Sequence, residues 1–377
     1  MEKRPRAPAM EINHFTDNEK AVILGLMRNP EHSDTEISRA MDMSIFTFNK
    51  IKNSLIRRRA IQKFYIPSYK KLGFEILAIT FGSGMETFLE PDNLERVKPF
   101  LKDQGQGRTI FKLFEGGNGF LFHTLLNYRD LKKMMMLKES ILEILGKDPD
   151  SLDHVFLPLE EVHIRRFFDI QALISRGMDH KSAPVLKCRT TAQKAASRKW
   201  SDFFENAGDI HHFQLDREHR RVLLEIVRRT DLKEKELLSD LGISRYRFNR
   251  IKKELLEHGY LKPFYVADII ALGYNVMIFT HMKLRPGYDP LELFDRYRDR
   301  IPSNLMIVAF DHTDIVGLGI FKDLAEGSEA QLRMRRKLME LGFLKQEPDQ
   351  MIFSLPNCKG NMPLSFHAPI EETENGR

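Results

Sequence analysis

Cysteine is nearly missing: only Cys188 and Cys358 occur in 377 residues. Neither has a Cys or His neighbour at the spacing of a zinc site, so no metal is expected and a disulfide framework is excluded. So few thiols fit a reducing compartment, and a cytoplasmic location is expected. No apolar run approaches the roughly 18 residues that a membrane-spanning helix needs. The opening MEKRPRAPAMEINHF is basic but has no apolar stretch of the kind a secretory signal requires. A P-loop, a dinucleotide-binding glycine signature, a hydrolase nucleophile elbow and a zinc-protease motif are also missing. Charge of one sign is not in large excess. The 59 Lys+Arg against 53 Asp+Glu leave a net +6, which permits a polyanion partner without requiring one.

What is present is self-similarity. FNKIKNSL (Phe48 to Leu55) aligns with FNRIKKEL (Phe248 to Leu255), an offset of 200 residues. Without a gap the same offset pairs Val22 with Val222, Leu24 with Leu224, Arg28 with Arg228, Glu36 with Glu236 and Ser44 with Ser244. Phe64-Tyr65 then meets Phe264-Tyr265, and Leu72-Gly73 meets Leu272-Gly273. A chain of this length is expected to hold two or more globular units, and the offset points to a duplication.

Each copy opens with three short helical patterns. Thr16 to Glu19 and Ser33 to Glu36 are capping boxes, which satisfy free backbone N–H groups at a helix start. Val22, Ile23, Leu26 and Met27 share one helical face, and Phe48, Ile51 and Leu55 another. The tight turns are Asp42-Met43 and Gly242-Ile243, where glycine tolerates a positive φ. Helix, helix, tight turn, helix is the helix-turn-helix pattern. The short apolar runs 60–66 and 260–266 read as strands, which predicts a winged version. Behind each, elements follow in the order β-α-β-β-α-β, with helices over 92–101 and 128–145 in the first copy and 290–297 and 326–341 in the second. That order is ferredoxin-like.

The fold class is therefore α+β: two winged helix-turn-helix domains, each followed by a ferredoxin-like βαββαβ domain, as a tandem pseudo-dimer. The expected boundaries are a flexible start at 1–14, a first winged unit at 15–66 and its ferredoxin-like domain at 67–164. A basic linker at 165–212 follows, with a short helix near 192–204. The second winged unit spans 213–266, the second ferredoxin-like domain 267–358, and a loose tail 359–377.

The third helix of each copy carries the clearest chemical signal. A recognition helix needs an apolar face to hold it on its own domain and a polar, cationic outer face to reach bases and phosphates. In the second copy Arg245, Tyr246, Arg247, Asn249, Arg250 and Lys252 lie outside the apolar stripe, behind the cap Ser244. In the first the matching positions are Thr47, Asn49, Lys50 and Asn53 behind Ser44, with Arg57 following. Ile45 and Phe46 make that outer face less polar. These residues are the expected contacts to double-stranded DNA. Because the two faces differ, two unlike half-sites are expected. The competing reading is a winged helix that pairs with other proteins, its basic face merely solvated.

This plan resembles the Lrp/AsnC (feast/famine) family of transcription regulators. The resemblance rests on element order, on Ser44 and Ser244 at the helix caps, on Leu72-Gly73 and Leu272-Gly273 before the first strand, and on Glu115-Gly-Gly-Asn-Gly119 at a hairpin. It implies a helix-turn-helix joined to a ligand-sensing domain, with domains that pair through their sheets. Most members are single units that dimerise, whereas here one chain holds both halves. The resemblance further implies a small-molecule effector near Gly116, Gly117 and Gly119, where the same glycines also suit a simple tight turn, and homo-oligomers formed through the ferredoxin-like sheets. The expected function is thus a DNA-binding transcription regulator, not an enzyme, with no cofactor. A branch of the same fold, the siroheme decarboxylases, implies an alternative in which histidines and arginines surround an anionic tetrapyrrole. His123, His154, His163 and Arg165 are the residues available for that role, although the His-Asn-Tyr motif of that branch is not found.

Overall fold

The computed structural model describes residues 15–85, 92–93, 95–96, 109–174, 184–197, 199–205, 213–229, 234–296, 302, 304–358 and 364–375. The expected flexible start, the last two linker residues (His211 and His212) and most of the helix expected over 92–101 lie outside these residues. Asp92, Asn93, Glu95 and Arg96 are helical.

Helices α1 (Asp17–Arg28) and α2 (Asp34–Ala40) each begin with a complete capping box, from Thr16 and from Ser33. Helix α3 (Ile45–Arg57) starts at Ser44, whose hydroxyl accepts from Thr47 N. The chain continues through β1 (Ile61–Pro67), β2 (Ile76–Ser83), the hairpin of β3 (Thr109–Glu115) and β4 (Asn118–Leu125), then α4 (Tyr128–Ile144), β5 (Leu152–Pro158) and β6 (His163–Arg166). Three short helices follow: α5 (Gln171–Ile174), α6 (Thr191–Ala196) and α7 (Trp200–Glu205).

The first order of elements then recurs. Helices α8 (Arg217–Arg228), α9 (Glu234–Leu241) and α10 (Arg245–Glu257) precede β7 (Leu261–Ala267) and β8 (Val276–Lys283). Then come α11 (Pro290–Arg296), β9 (Leu305–Phe310), β10 (Asp314–Phe321), α12 (Leu324–Glu340), β11 (Asp349–Ser354) and α13 (Ala368–Asn375). The backbone repeats along with the sequence. Asp42 and Gly242 turn at φ 52° and 64°, and Arg59 and Gly259 at 57° and 65°. No described helix is long and apolar enough to cross a membrane.

All sheets are antiparallel. One runs β3-β4-β2-β5, a second β11-β8-β10-β9-β6, and a third is the two-stranded ribbon β1-β7. Strand alternation gives the first two sheets one face for each other and one for their helices. On the shared faces the Phe279 ring lies 4.7 Å from Phe81 and 4.8 Å from Phe120. All three rings are buried, each worth about 1.5–3 kcal/mol in transfer from water.

Three expectations change. The strands read as wings do not form hairpins within their own units. A lone strand leaves its N–H and C=O groups unpaired, so β1 and β7, one from each copy, pair with each other from Ile61↔Ala267 to Pro67↔Leu261. The stretch read as a basic linker supplies structure as well. Its start lies within β6, which extends the second sheet by pairing with β9, and Phe167, Phe168, Trp200 and Phe204 gather around Phe264. The described part of the tail is packed too. Ser365 N donates to Ile110 O of β3, and Phe366, 1% exposed, joins the same aromatic cluster. Each copy's continuation therefore covers the edge strand of the other, which removes an exposed edge.

Candidate active site

Alternation along β2 turns Leu77, Ile79 and Phe81 toward the opposite sheet, and Ile76, Ala78 and Thr80 toward α4. Register adds histidines to that helix side. Ala78 lies opposite His123 of β4, and Thr80 lies opposite His154 of β5. Thr109 of β3 sits across from His123. Helix α4 starts at Asn127, whose side chain accepts from Asp130 N, and is held on the sheet by Leu131. Two turns farther on, its Lys138 reaches in.

The result is a connected group of nitrogens and hydroxyls. Lys138 Nζ donates to Thr80 Oγ1. Thr80 Oγ1 lies 3.0 Å from His154 Nδ1, and Thr109 Oγ1 lies 3.0 Å from His123 Nδ1. His123 Nε2 is buried with no hydrogen-bond partner. Among the described residues no carboxylate pairs with Lys138. Burial with no counter-ion lowers the Lys138 ammonium to about 7. Burial first, then the Lys138 charge, lowers His154 to about 4 and holds His123 well below its usual range. At neutral pH both imidazoles are uncharged, and the amine stands near its midpoint. Chemically this arrangement suits a negatively charged group at Lys138 and carries side chains that can pass a proton.

The second copy lacks the two histidines and the lysine. Thr280 is retained, but its partners across the sheet are Gly317 and Gln350, and Gly319 takes the place of His123 beside Ile278. Counted from the caps Asn127 and Asp323, Met334 takes the place of Lys138. Beneath α12 lies a cavity of about 510 Å³ with apolar walls that include Met282, Phe294 and Met334, and with Arg333 and Lys337 among its lining residues.

The residues expected to touch DNA have other surroundings. Phe48 and Phe248 are buried as their stripe requires, while Thr47, Lys50, Asn53, Arg57, Arg245, Tyr246, Arg247, Asn249 and Arg250 are exposed and Asn49 is half-buried. Ser244 caps α10 as Ser44 caps α3. Arg245 pairs with Glu234 at 2.8 Å and Arg247 with Glu218 at 2.6 Å. Lys252 turns inward, its ammonium 5.2 Å from the Tyr65 ring centre. Burial opposes ionisation of Tyr65, but Lys63 and Lys252 together bring its hydroxyl down to about 8. Helix α6 packs along α10.

The glycines near the first hairpin are explained without an effector. Gly116 and Gly117 turn at φ 58° and 89°, and a Cβ on Gly119 would stand 2.3 Å from Met85 Cβ. In the second hairpin Asp311 takes over the turn, its carboxylate accepting from Thr313 N and Asp314 N. His163 and Arg165 do not join His123 and His154. They lie on β6 in the second sheet, against the Phe310 ring. Lys138, Thr80 and Thr109 are missing from the sequence reading altogether. The only signal for Lys138 was a lysine at the spacing of the inward stripe of α4.

No protein-family model matches the chain, and no curated protein matches it. Among solved structures, the siroheme decarboxylase NirDL matches with a TM-score of 0.50 and 13% identity, over 96% of this chain and 99% of that one. The chain shares the fold of that enzyme. The same protein in complex with an iron-uroporphyrin III analogue matches with a TM-score of 0.50 and 12% identity, over 96% and 98%. An AsnC family transcriptional regulator from Agrobacterium tumefaciens matches 37% of this chain and 90% of its own, with 16% identity and a TM-score of 0.29. The expectation that this chain is not an enzyme is thereby corrected, because NirDL, which matches it from end to end, is an enzyme. Of the readings drawn from the sequence, the end-to-end likeness in fold matches the decarboxylase alternative better than the regulator.

Proposed function

We propose that the chain is a tetrapyrrole decarboxylase of the siroheme type, built as a covalent pair of Lrp-like units with unequal halves. One observation carries this reading: Lys138, inserted beside His123 and His154, has no counter-ion among the described residues. A side-chain carboxylate of a macrocycle arriving at Nζ supplies the missing charge and restores the ammonium form. Decarboxylation breaks the bond between carbon and carboxylate, and CO2 leaves. The electron pair stays on carbon and takes up one proton, so that R–CO2⁻ and H⁺ give R–H and CO2. Once CO2 has left, Lys138 has lost that counter-ion and returns toward about 7, which suits delivery of the proton, because a general acid works best near the ambient pH. Thr80 links Lys138 to His154, which gives a path for reprotonation. His123 Nε2 is free to orient the substrate.

In this reading the helix-turn-helix pairs act as scaffold. The pairing of Arg245 and Arg247 with carboxylates and the inward turn of Lys252 support that role. The test uses the full chain. Iron-uroporphyrin III should perturb its own absorption band on binding, and siroheme should lose CO2, read by mass spectrometry of the extracted pigment. Lys138→Met should abolish turnover while the protein stays folded. Turnover unchanged in that variant, or a folded wild type that neither binds nor converts the pigments, would sink the proposal.

A further inference from the structure

The loop between α1 and α2 holds Asn29, Glu31 and His32, and the chain from 184 to 189 runs against it. Asn29 secures the approach: its amide donates to Gly25 O at 2.9 Å and to Pro184 O at 3.0 Å, and its Oδ1 accepts from Leu186 N at 2.7 Å. Cys188 is thereby brought to Glu31 and His32, and one ligand atom from each residue lies within 4.8 Å of the other two. The His32 and Glu31 side chains are 2% and 6% exposed.

The unsatisfied buried polar atoms are what make this group unusual. His32 Nε2 lies 3.4 Å from Lys187 O. A carbonyl only accepts, so Nε2 is the donor there and Nδ1 is the ring atom turned to Glu31. That Nδ1 is 3.1 Å from Glu31 Oε1, yet it makes no hydrogen bond. Glu31 Oε2 is also buried without a partner, and Cys188 Sγ lies 3.7 Å from Oε1. Buried polar atoms of an imidazole and a carboxylate that no hydrogen bond satisfies, set beside a thiol, form a donor set that a cation would satisfy. An imidazole that donates its far N–H to a backbone carbonyl is also the usual arrangement of a metal-bound histidine.

We propose that Glu31, His32 and Cys188 bind one divalent transition-metal ion of the zinc class. Thiolate and imidazole select such an ion over magnesium or calcium. Bonds of about 2.0–2.3 Å to a common centre need only modest closing of the side chains. The carboxylate and thiolate cancel the charge of the ion, so the bound site adds no net charge beside Arg39 and Arg189. A cavity of about 180 Å³ lined by His32, Glu36 and Arg39 leaves room for a fourth, exchangeable ligand. The ion would fasten the segment before α6 to the first helix-turn-helix unit. Gln193 of α6 reaches Glu36 there, and α6 packs on α10 of the second unit. The site would thus tie the two units together.

The test is titration of metal-free, reduced, full-length protein with cobalt(II). One equivalent should produce a thiolate-to-cobalt charge-transfer band in the near ultraviolet, together with strong visible bands of four-coordinate cobalt, and zinc should bleach both. Cys188→Ser should remove the charge-transfer band and Cys358→Ser should leave it. Zinc should raise the melting temperature of the wild type but not that of Cys188→Ser. A wild type without the band overturns the proposal, as does a band that persists in Cys188→Ser. Because the first measurement needs no variant, misfolding of a variant does not rescue the idea.

Discussion

Phe64 and Phe264 lie directly opposite each other in the β1-β7 ribbon, their ring centres 5.8 Å apart. They are the same position in the two copies of the repeat. The register is symmetrical about them, so the ribbon joins equivalent strands of the two copies at one point. Phe366 leans on both rings, at 5.9 Å and 5.7 Å. The first-copy position matching Phe366 is Arg166, whose guanidinium instead donates to Pro302 O and Leu305 O. The symmetry is therefore lost just beside the ribbon.

Replacing Lys138 with methionine should stabilise the unliganded protein by about 1–3 kcal/mol at pH 6, the order of cost for burying a polar group without its partner. The sign follows from linkage. Folding depresses this lysine from 10.5 to about 7, so the charged form carries the penalty, which is full below 7 and fades toward 10.5. Wild-type stability should rise over that interval relative to Lys138→Met, as read by urea denaturation at several pH values. Parallel profiles would remove the buried ammonium.

Binding of a carboxylated macrocycle should take up a proton above pH 7. Affinity for iron-uroporphyrin III should be flat between pH 5 and 7 and should then fall by up to tenfold per pH unit. Absorption titrations measure this. His154, lowered to about 4, stays neutral across the range and adds no second step.

Phe366→Ala should cost about 3–5 kcal/mol, the range for a fully buried phenylalanine. An unpacked tail would give a change near zero. Thermal melting of the two proteins distinguishes the outcomes.

Arg59 holds a left-handed conformation, φ 57°, where its counterpart is Gly259. Arg59→Gly should stabilise by about 0.5–1 kcal/mol, because relief of side-chain strain exceeds the added entropy of the unfolded chain. Differential scanning calorimetry should show the higher melting temperature. A lower one would mean that the Arg59 side chain makes contacts worth more than the strain.

Much of the fold was legible. Capping boxes, helical stripes and alternating strands are local signals, and the helices from Thr16, Ser33, Ser44 and Ser244 start where those residues stand. The repeat also continued farther than it was followed. Ile170 and Ile370 keep the offset, and both are buried; they marked the linker and tail as packed structure. The candidate site was half legible: His123 and His154 were named, but only register put them on one face. Lys138 showed only its place at the spacing of the inward stripe of α4, since burial of an ammonium end leaves no mark in composition.

By itself the sequence determined two copies of one local plan, because caps, turns and periodicities act over a few residues and need no partner. Tertiary structure alone decided that β1 pairs with β7, that each copy's continuation covers the other's edge strand, and that Cys188 meets His32. Those contacts join residues more than 140 positions apart, and such pairings are chosen by the burial and hydrogen bonding of the whole chain.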